Sequence, residues 1–354
     1  MLEDSRRTVR EFASDLVVVL AQPVPPCFQR VAIRVMTMTQ RAVLTRAGPA
    51  AQRAYLLAFL RLVHQHECVR MYTVAFALFP NRTQSAALAA AQRVVTNAKQ
   101  QRYIQSVNWM DSHRYYALTK RGAAFLNELD PELEAHSTMH ALHLENKRHR
   151  HWGVLIAIAS AQRGMEGFSE ALISGEMHND ITTYFGHTPD AVTIANNIAV
   201  WHEVETSRRS TTRRAETQGT LCGAEKLTHL VRTIREKRVL EHRGWAYPLI
   251  LVMHCAGEAI ERSVRAILDA AVKTLGGEKT STGYSVPCDG ADSDPLTITI
   301  NLLPLEPEDG AWCGLLPWAG CPVKPVSECD EYLRPATVAT RVDQDKSLGD
   351  AGQD

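Results

Sequence analysis

The chain has 354 residues, 45% of them hydrophobic and 22% charged, with 39 Lys/Arg balancing 39 Asp/Glu. This composition is ordinary for a globular protein and excludes a collagenous, low-complexity or wholly disordered chain. The length allows two domains, each with its own core, and a formal net charge of zero removes any whole-molecule argument for a polyanionic partner.

The charge is unevenly placed, however. Residues 51–128 carry ten Lys/Arg against three acids, a net of +7, whereas residues 285–354 carry four against thirteen, a net of −9. Such asymmetry points to a nucleic-acid-binding part beside an acidic tail. The longest early apolar run, Leu16 to Ala21, is far shorter than the roughly 20 residues a membrane helix needs and too short for a signal-peptide core. A cytoplasmic protein with no membrane partner is therefore expected. Cys27, Cys68, Cys222, Cys255, Cys288, Cys313, Cys321 and Cys329 contain no CxxC pair, so reduced thiols are expected rather than a zinc site.

Residues 1–49 form a poorly patterned extension interrupted by Pro23, Pro25 and Pro26. From Ala50 to His66, Leu56, Phe59, Leu60 and Val63 recur at helical spacing. A second helix is expected over Val69 to Phe79, ended by Pro80, and a third over Gln84 to Gln101, with Thr83 as its cap and Leu88, Ala91, Val95 and Ala98 inward. Tyr103–Val107 and His113–Leu118 flank a polar turn and read as a β-hairpin, and Thr119 caps a further helix over Lys120 to Leu129. Three helices, a hairpin and a helix is the order of a winged helix-turn-helix over residues 50–130. In such a domain the third helix enters the major groove and the wing lies along the backbone. Arg82, Gln84, Ser85, Gln92, Arg93, Arg114 and Lys120 are the candidate contacts to duplex DNA, with hydrogen bonds to bases and phosphates. The competing reading makes this polar stripe a solvated helix face.

Asp130 to Ser137 is polar and acidic, a sensible boundary. Residues 138–303 then read α-β-β-β-α-β-α-β: a helix over Met139 to Ala161, a strand over Phe168 to Ile173, and strands Ala191–Ala195 and Ile198–Val204 joined by Asn196-Asn197. After them come a helix over Leu221 to Arg238, a strand over Tyr247 to His254, a helix over Gly257 to Leu275 and a strand over Leu296 to Leu303. Asp190 stands at the hairpin's start, and Glu203 and Glu205, two apart on a strand, share a face. Three converging carboxylates suit a hard cation such as Mg²⁺, with Asp190 and Glu203 the first ligands, and such a metal activates water against a phosphodiester. The competing readings are a Pro-Asp turn and the wet face of an edge strand. Residues 304–354 are acidic, and a disordered tail is expected there.

The α-β-β-β-α-β order with Pro189-Asp190 and Glu203-Val204-Glu205 resembles the restriction-endonuclease-like nucleases, which usually carry lysine where Glu205 stands. The whole region 50–260 resembles the replication-relaxation family of plasmid and mobile-element proteins. The residues that carry this are RYYALTKRGAAFL at 114–126, a helix bearing His140, His143, Asn146 and Arg150, PDAVTI at 189–194 and WHEVETSRRS at 201–210. The family usually has E-x-D where this chain has Glu203-Val204-Glu205. The resemblance implies an α+β protein with a winged helix followed by an α/β nuclease-like domain. The implied role is DNA binding in plasmid replication, mobilisation or their regulation, with relaxase or replication proteins as partners and a homodimer left open. The nuclease-like domain is expected not to cut; the alternative is a Mg²⁺-dependent endonuclease using Asp190, Glu203 and Glu205.

Overall fold

The computed structural model describes residues 48–80, 82–108, 113–143, 147–195, 197–206, 223–281, 283–288 and 294–303. The readings of the first 47 residues and of the acidic tail from 304 lie outside these. Chain order begins with helix α1, Pro49–His66, strand β1, Cys68–Arg70, helix α2, Met71–Leu78, and helix α3, Gln84–Gln100. Strands β2, Ile104–Asn108, and β3, Arg114–Leu118, form the expected hairpin, and helix α4, Lys120–Leu129, follows. The hairpin grows into a three-stranded antiparallel sheet of order β1-β3-β2, with Val69 opposite Tyr116. Strand β1 corrects the expectation of a single helix from Val69. Its three residues gain their hydrogen bonds from β3, a partner almost fifty residues away that no local pattern announces.

Why this part closes is visible in its apolar stripes. Phe59, Leu60 and Val63 of α1, Val74, Ala75 and Phe76 of α2, and Ala87, Ala91, Val95 and Ala98 of α3 are all buried against one another and the sheet. Small residues on α3 let it approach α2 closely, leaving Leu88 only half-buried. The Thr119 hydroxyl accepts the Gly122 N–H at 3.1 Å, capping α4 as expected. Gly122 is required there, because a Cβ would run into the Tyr103 carbonyl.

After short 3-10 turns at Pro131–Leu133 and Met139–His143 comes helix α5, Lys147–Gln162, so the helix expected from Met139 is in two pieces. Strand β4, Glu166–Ser169, runs straight into helix α6, Glu170–Glu176, where a strand to Ile173 was expected. Strands β5, Ala191–Ala195, and β6, Ile198–Glu205, turn at Asn197, whose φ of 64° is a left-handed value that Asn tolerates. Helix α7, Gly223–Lys237, precedes strands β7, Val239–His242, and β8, Trp245–Ala256; helix α8, Glu258–Thr274, precedes β9, Glu278–Lys279, β10, Gly283–Val286, and β11, Leu296–Leu303. The eight strands form one sheet of order β4-β5-β6-β8-β11-β10-β9, with β7 paired to β8. Strands β4, β5 and β6 are an antiparallel meander, and β6, β8 and β11 run parallel. The fold as a whole is α+β. Among the described residues no helix is long and apolar enough to cross a membrane.

The two sheets are fastened by a polar seam. Arg150 on α5 grips Glu170 through two nitrogens at 2.9 and 3.1 Å and reaches Glu67, just past α1, at 3.2 Å. His66 Nδ1 meets Ser169 Oγ at 2.8 Å, and His151 Nδ1 meets Thr73 Oγ1 of α2 at 3.0 Å, both buried. The 130–137 boundary is thus a change of sheet inside one packed body.

Candidate nucleic-acid interface and carboxylate cluster

The outer face of α3 consists of Ser85, Ala89, Gln92, Arg93, Thr96 and Gln100, all exposed, at the spacing of one helical stripe. Gln84 opens the helix half-buried, and Arg82, in the turn before it, lies over the Phe79 ring at 4.9 Å. The Gln92 amide donates to Thr96 Oγ1 at 3.2 Å along this face. Arg114 begins β3 exposed and donates to Asn108 Oδ1 across the hairpin at 3.0 Å, while Lys120 stands exposed at the start of α4. Lys99 lies over the Tyr116 ring at 5.7 Å, and Arg121 over Tyr103 at 5.9 Å. Burial, and then the positive charge of nearby Arg114, hold the Lys99 ammonium below its ordinary pKa. No described residue from 82 to 121 is acidic, and Arg82, Arg93, Lys99, Arg102, Arg114, Lys120 and Arg121 make no ion pair among the described residues.

The second cluster lies where β5 begins and β6 ends. Asp190 sits beside Glu203 across the strand pair, since Ala191 faces His202 and the Asp190 N–H donates to the His202 carbonyl at 3.1 Å. Trp201, Glu203 and Glu205 share one face of β6, as the spacing predicts, but the edge-strand reading is overturned. β6 is flanked on both sides, and Asp190, Glu203 and Glu205 are 7%, 4% and 6% exposed. The Pro-Asp reading is deepened too: Asp190 is a tertiary anchor, taking the Val204 N–H on Oδ2 at 2.6 Å and the His149 ring on Oδ1. Glu203 accepts from the Trp201 indole at 2.8 Å and meets His187 Nε2 at 3.0 Å.

Electrostatics follow from this packing. Burial works against a charge on His149, but the Asp190, Glu203 and Glu205 carboxylates outweigh it and hold its pKa at about 9. Burial pushes Asp190 up to about 6, with Glu203 adding to the rise and His149 and the Val204 N–H opposing it. Glu203 is also buried, yet the hydrogen bond and charge of His187, the Trp201 indole and the His149 charge keep it below its ordinary value. Near neutral pH the cluster therefore holds buried carboxylates compensated by histidine. Among the described residues no group of three or more His, Cys, Asp and Glu is arranged to hold a metal ion. With both Asp190 oxygens and one Glu203 oxygen already engaged, the residues as they stand do not fit Mg²⁺.

His149, His187 and Trp201 are the members that sequence reasoning passed over. The signal for His149 was its place in the polar first turn of a helix about to become apolar. Helix α5 reaches Asp190 because Gly153 lies flat on it, where a Cβ would run into the Asp190 carbonyl oxygen. Gly153→Ala is therefore expected to force α5 outward and to lower unfolding free energy by about 1–3 kcal/mol, the usual cost of overpacking. Urea unfolding checks this, and a change within about 0.5 kcal/mol would show that the helix yields freely.

Comparison with family models, with curated proteins and with solved structures gives no match.

Proposed function

We propose that this protein binds duplex DNA through a winged helix formed by residues 50–130, with α3 as the recognition helix and the β2–β3 hairpin as the wing. The observation that carries the reading is the set of seven cations on and around α3 and the hairpin, none paired among the described residues and none with a described acidic neighbour in that segment. The order of helices and strands, with β1 added to the hairpin as β1-β3-β2, supports it independently. The resemblance of residues 50–260 to replication-relaxation proteins supports a role in plasmid or mobile-element replication, mobilisation or their regulation, beside a relaxase or replication protein.

Binding is tested by titrating fluorescent duplexes at several salt concentrations. Each phosphate neutralised adds about −0.9 to the slope of log affinity against log salt, so up to seven contacts give a slope approaching roughly −6. A salt-insensitive complex sinks the reading, as does the absence of any complex at low salt. Arg93→Ala is expected to weaken binding by about 1–3 kcal/mol on a preferred sequence where it reads a guanine. As a phosphate contact it costs the same on every sequence.

A second reading rests on the order α5-β4-α6-β5-β6-α7-β7-β8, in which α6 and β7 are additions to the α-β-β-β-α-β series, with β8 parallel to β6 and Asp190 beside Glu203. This supports a restriction-endonuclease-like domain. The histidine contacts of its carboxylates favour a binding or assembly role over cleavage. Supercoiled plasmid with Mg²⁺ or Mn²⁺ decides the matter: metal-dependent nicking lost in Asp190→Ala would establish the endonuclease.

A further inference from the structure

We infer that residues 304–354 bind back onto the unpaired cations of α3 and the β2–β3 hairpin and compete there with nucleic acid. What the segment competes with rests on the DNA-binding reading, while the contact itself does not. Three observations converge on this occupant. Lys99, over the ring of Tyr116, feels the charge of Arg114 at the start of the same strand with no described carboxylate beside them, a like-charge arrangement that an incoming anion relieves. Most cations elsewhere in the body are paired or interleaved with acids: Arg150 with Glu67 and Glu170, Arg243 with Glu166, Arg265 with Glu261, and Lys226 and Arg232 in a helix that also carries Glu225 and Glu236. The α3–hairpin surface alone combines many cations with no described acid.

The third observation is the charge of the chain beyond β11. Residues 304–354 hold ten acids against four Lys/Arg, a net of −6, in groups such as Glu306-Glu308-Asp309 and Glu328-Asp330-Glu331. With several acids in each group, more than one cation of this surface is met at a time. Reach is ample: some fifty residues span up to about 170 Å when extended, whereas a body of this size is on the order of 50 Å across. Each exposed pair is weak, about 0–1 kcal/mol, so the contact has to be multiple, screened by salt and displaced by the denser charge of DNA. It would act as a filter, weakening attachment to nonspecific DNA while sites with added base contacts still win.

Zero-length carbodiimide cross-linking of the full chain at low salt, followed by peptide mapping, tests the contact without DNA. Expected are links from Lys99 or Lys120 to carboxylates of residues 304–354, unchanged on dilution and lost above about 0.5 M salt, where screening extends only a few ångströms. In a full-length variant with the ten acids replaced by Asn or Gln these links vanish, and nonspecific duplex binds about tenfold tighter at low salt, with no difference at high salt. Tail links confined to Lys226 or Lys273, no tail links at all, or links that fade on dilution would each overturn the proposal. So would equal DNA affinity of the two proteins. If neither protein binds DNA, the DNA-binding reading fails while the cross-links still decide where the acidic segment lies.

Discussion

Acidification from pH 7 to pH 4 will unfold this protein cooperatively, with the protons taken up by histidines that the fold buries neutral. His66, His151, His202 and His254 are 8%, 3%, 8% and 1% exposed. Burial, helped at His151 by Arg70 and His113 and at His202 by His254, holds all four below their ordinary pKa, with His66 and His254 at about 4. A histidine whose folded pKa lies below its unfolded one stabilises the fold above about 6.5, and that stability is lost as pH falls toward the folded value. Between an unfolded value of 6.5 and a folded value of about 4, each loses roughly 3 kcal/mol of stability by pH 4, so His66 and His254 alone remove about 6 kcal/mol. That is comparable with a whole domain's stability of about 5–15 kcal/mol. Asp190 works the other way, because its raised pKa makes the folded state gain protons below about 6, but it is one group against four. Circular dichroism against pH should show a transition between pH 4 and 6.5, steep enough to need more than one proton. Retention of the native signal at pH 4 would sink this account, and His66→Gln should move the midpoint to lower pH.

Burial keeps these histidines neutral, and two of them share one chain of hydrogen bonds. His202 Nδ1 faces His254 Nε2 at 2.9 Å, and His202 Nε2 faces Thr193 Oγ1 at 3.1 Å, which meets Ser160 Oγ at 2.8 Å. The assignment with the fewest losses has His254 donating to His202, His202 donating to Thr193, and Thr193 donating to Ser160. It leaves His254 Nδ1 as a bare acceptor, consistent with its lack of a partner among the described residues, and an orphaned acceptor costs less than an orphaned donor. A proton on this chain would place a charge among groups that are all buried.

Much of the fold was legible where local chemistry decides. The Thr119 cap placed α4, and the Asn196-Asn197 turn placed β5 and β6 to within a residue. The run at 296–303 gave β11 outright. Expectations failed where a distant partner decides. β1 is too short to show a period and exists because Tyr115 to Ala117 pair with it. Phe168 to Ile173 looked like a strand because three of its six residues are large and apolar. Ser169 and Glu170 in its midst were in fact a helix start, and Ile173 packs inward from α6.

The site divides along the same line. That Asp190, Glu203 and Glu205 come together followed from a hairpin and the period of two, both local. Their burial did not, because a carboxylate face reads as wet until the sheet order shows β6 between β5 and β8. The partner histidines were further still from view. His149 is forty-one residues before Asp190 and meets it only because Gly153 lets α5 lie on the strand. On the α3 face, exposure of Ser85, Gln92 and Arg93 was legible from the helical stripe, while the lack of an ion pair for the cations among the described residues needed the structure.

His149→Ala should be the most damaging single change in the carboxylate cluster. It leaves Asp190 buried against Glu203 and Glu205 with no nearby positive partner, and removing one member of a buried pair costs about 3–5 kcal/mol. For a body of this size that lowers Tm by on the order of 10 °C. The loss should be concentrated at neutral pH. A histidine whose folded pKa is raised from 6.5 to about 9 contributes stability that is complete below 6.5 and disappears as pH rises through about 9. Wild type and variant should therefore converge in alkaline solution. They should also converge when the charge itself is removed, so Asp190→Asn should restore much of what His149→Ala loses, and the double-mutant cycle should report a coupling of 2 kcal/mol or more, near the upper end of the roughly 0.5–3 kcal/mol usual for contacting residues. A variant within about 1 kcal/mol of wild type at pH 7, unaffected by Asp190→Asn, would show that the pair is incidental. Mg²⁺ separates the remaining possibilities, because a ligand of the folded state raises Tm by mass action. Wild type should respond little, since His149 already occupies Asp190, whereas His149→Ala should gain more from the cation. A wild-type Tm that climbs steeply with Mg²⁺ would mean that the metal displaces His149, and the endonuclease reading would then take precedence over the non-cutting one.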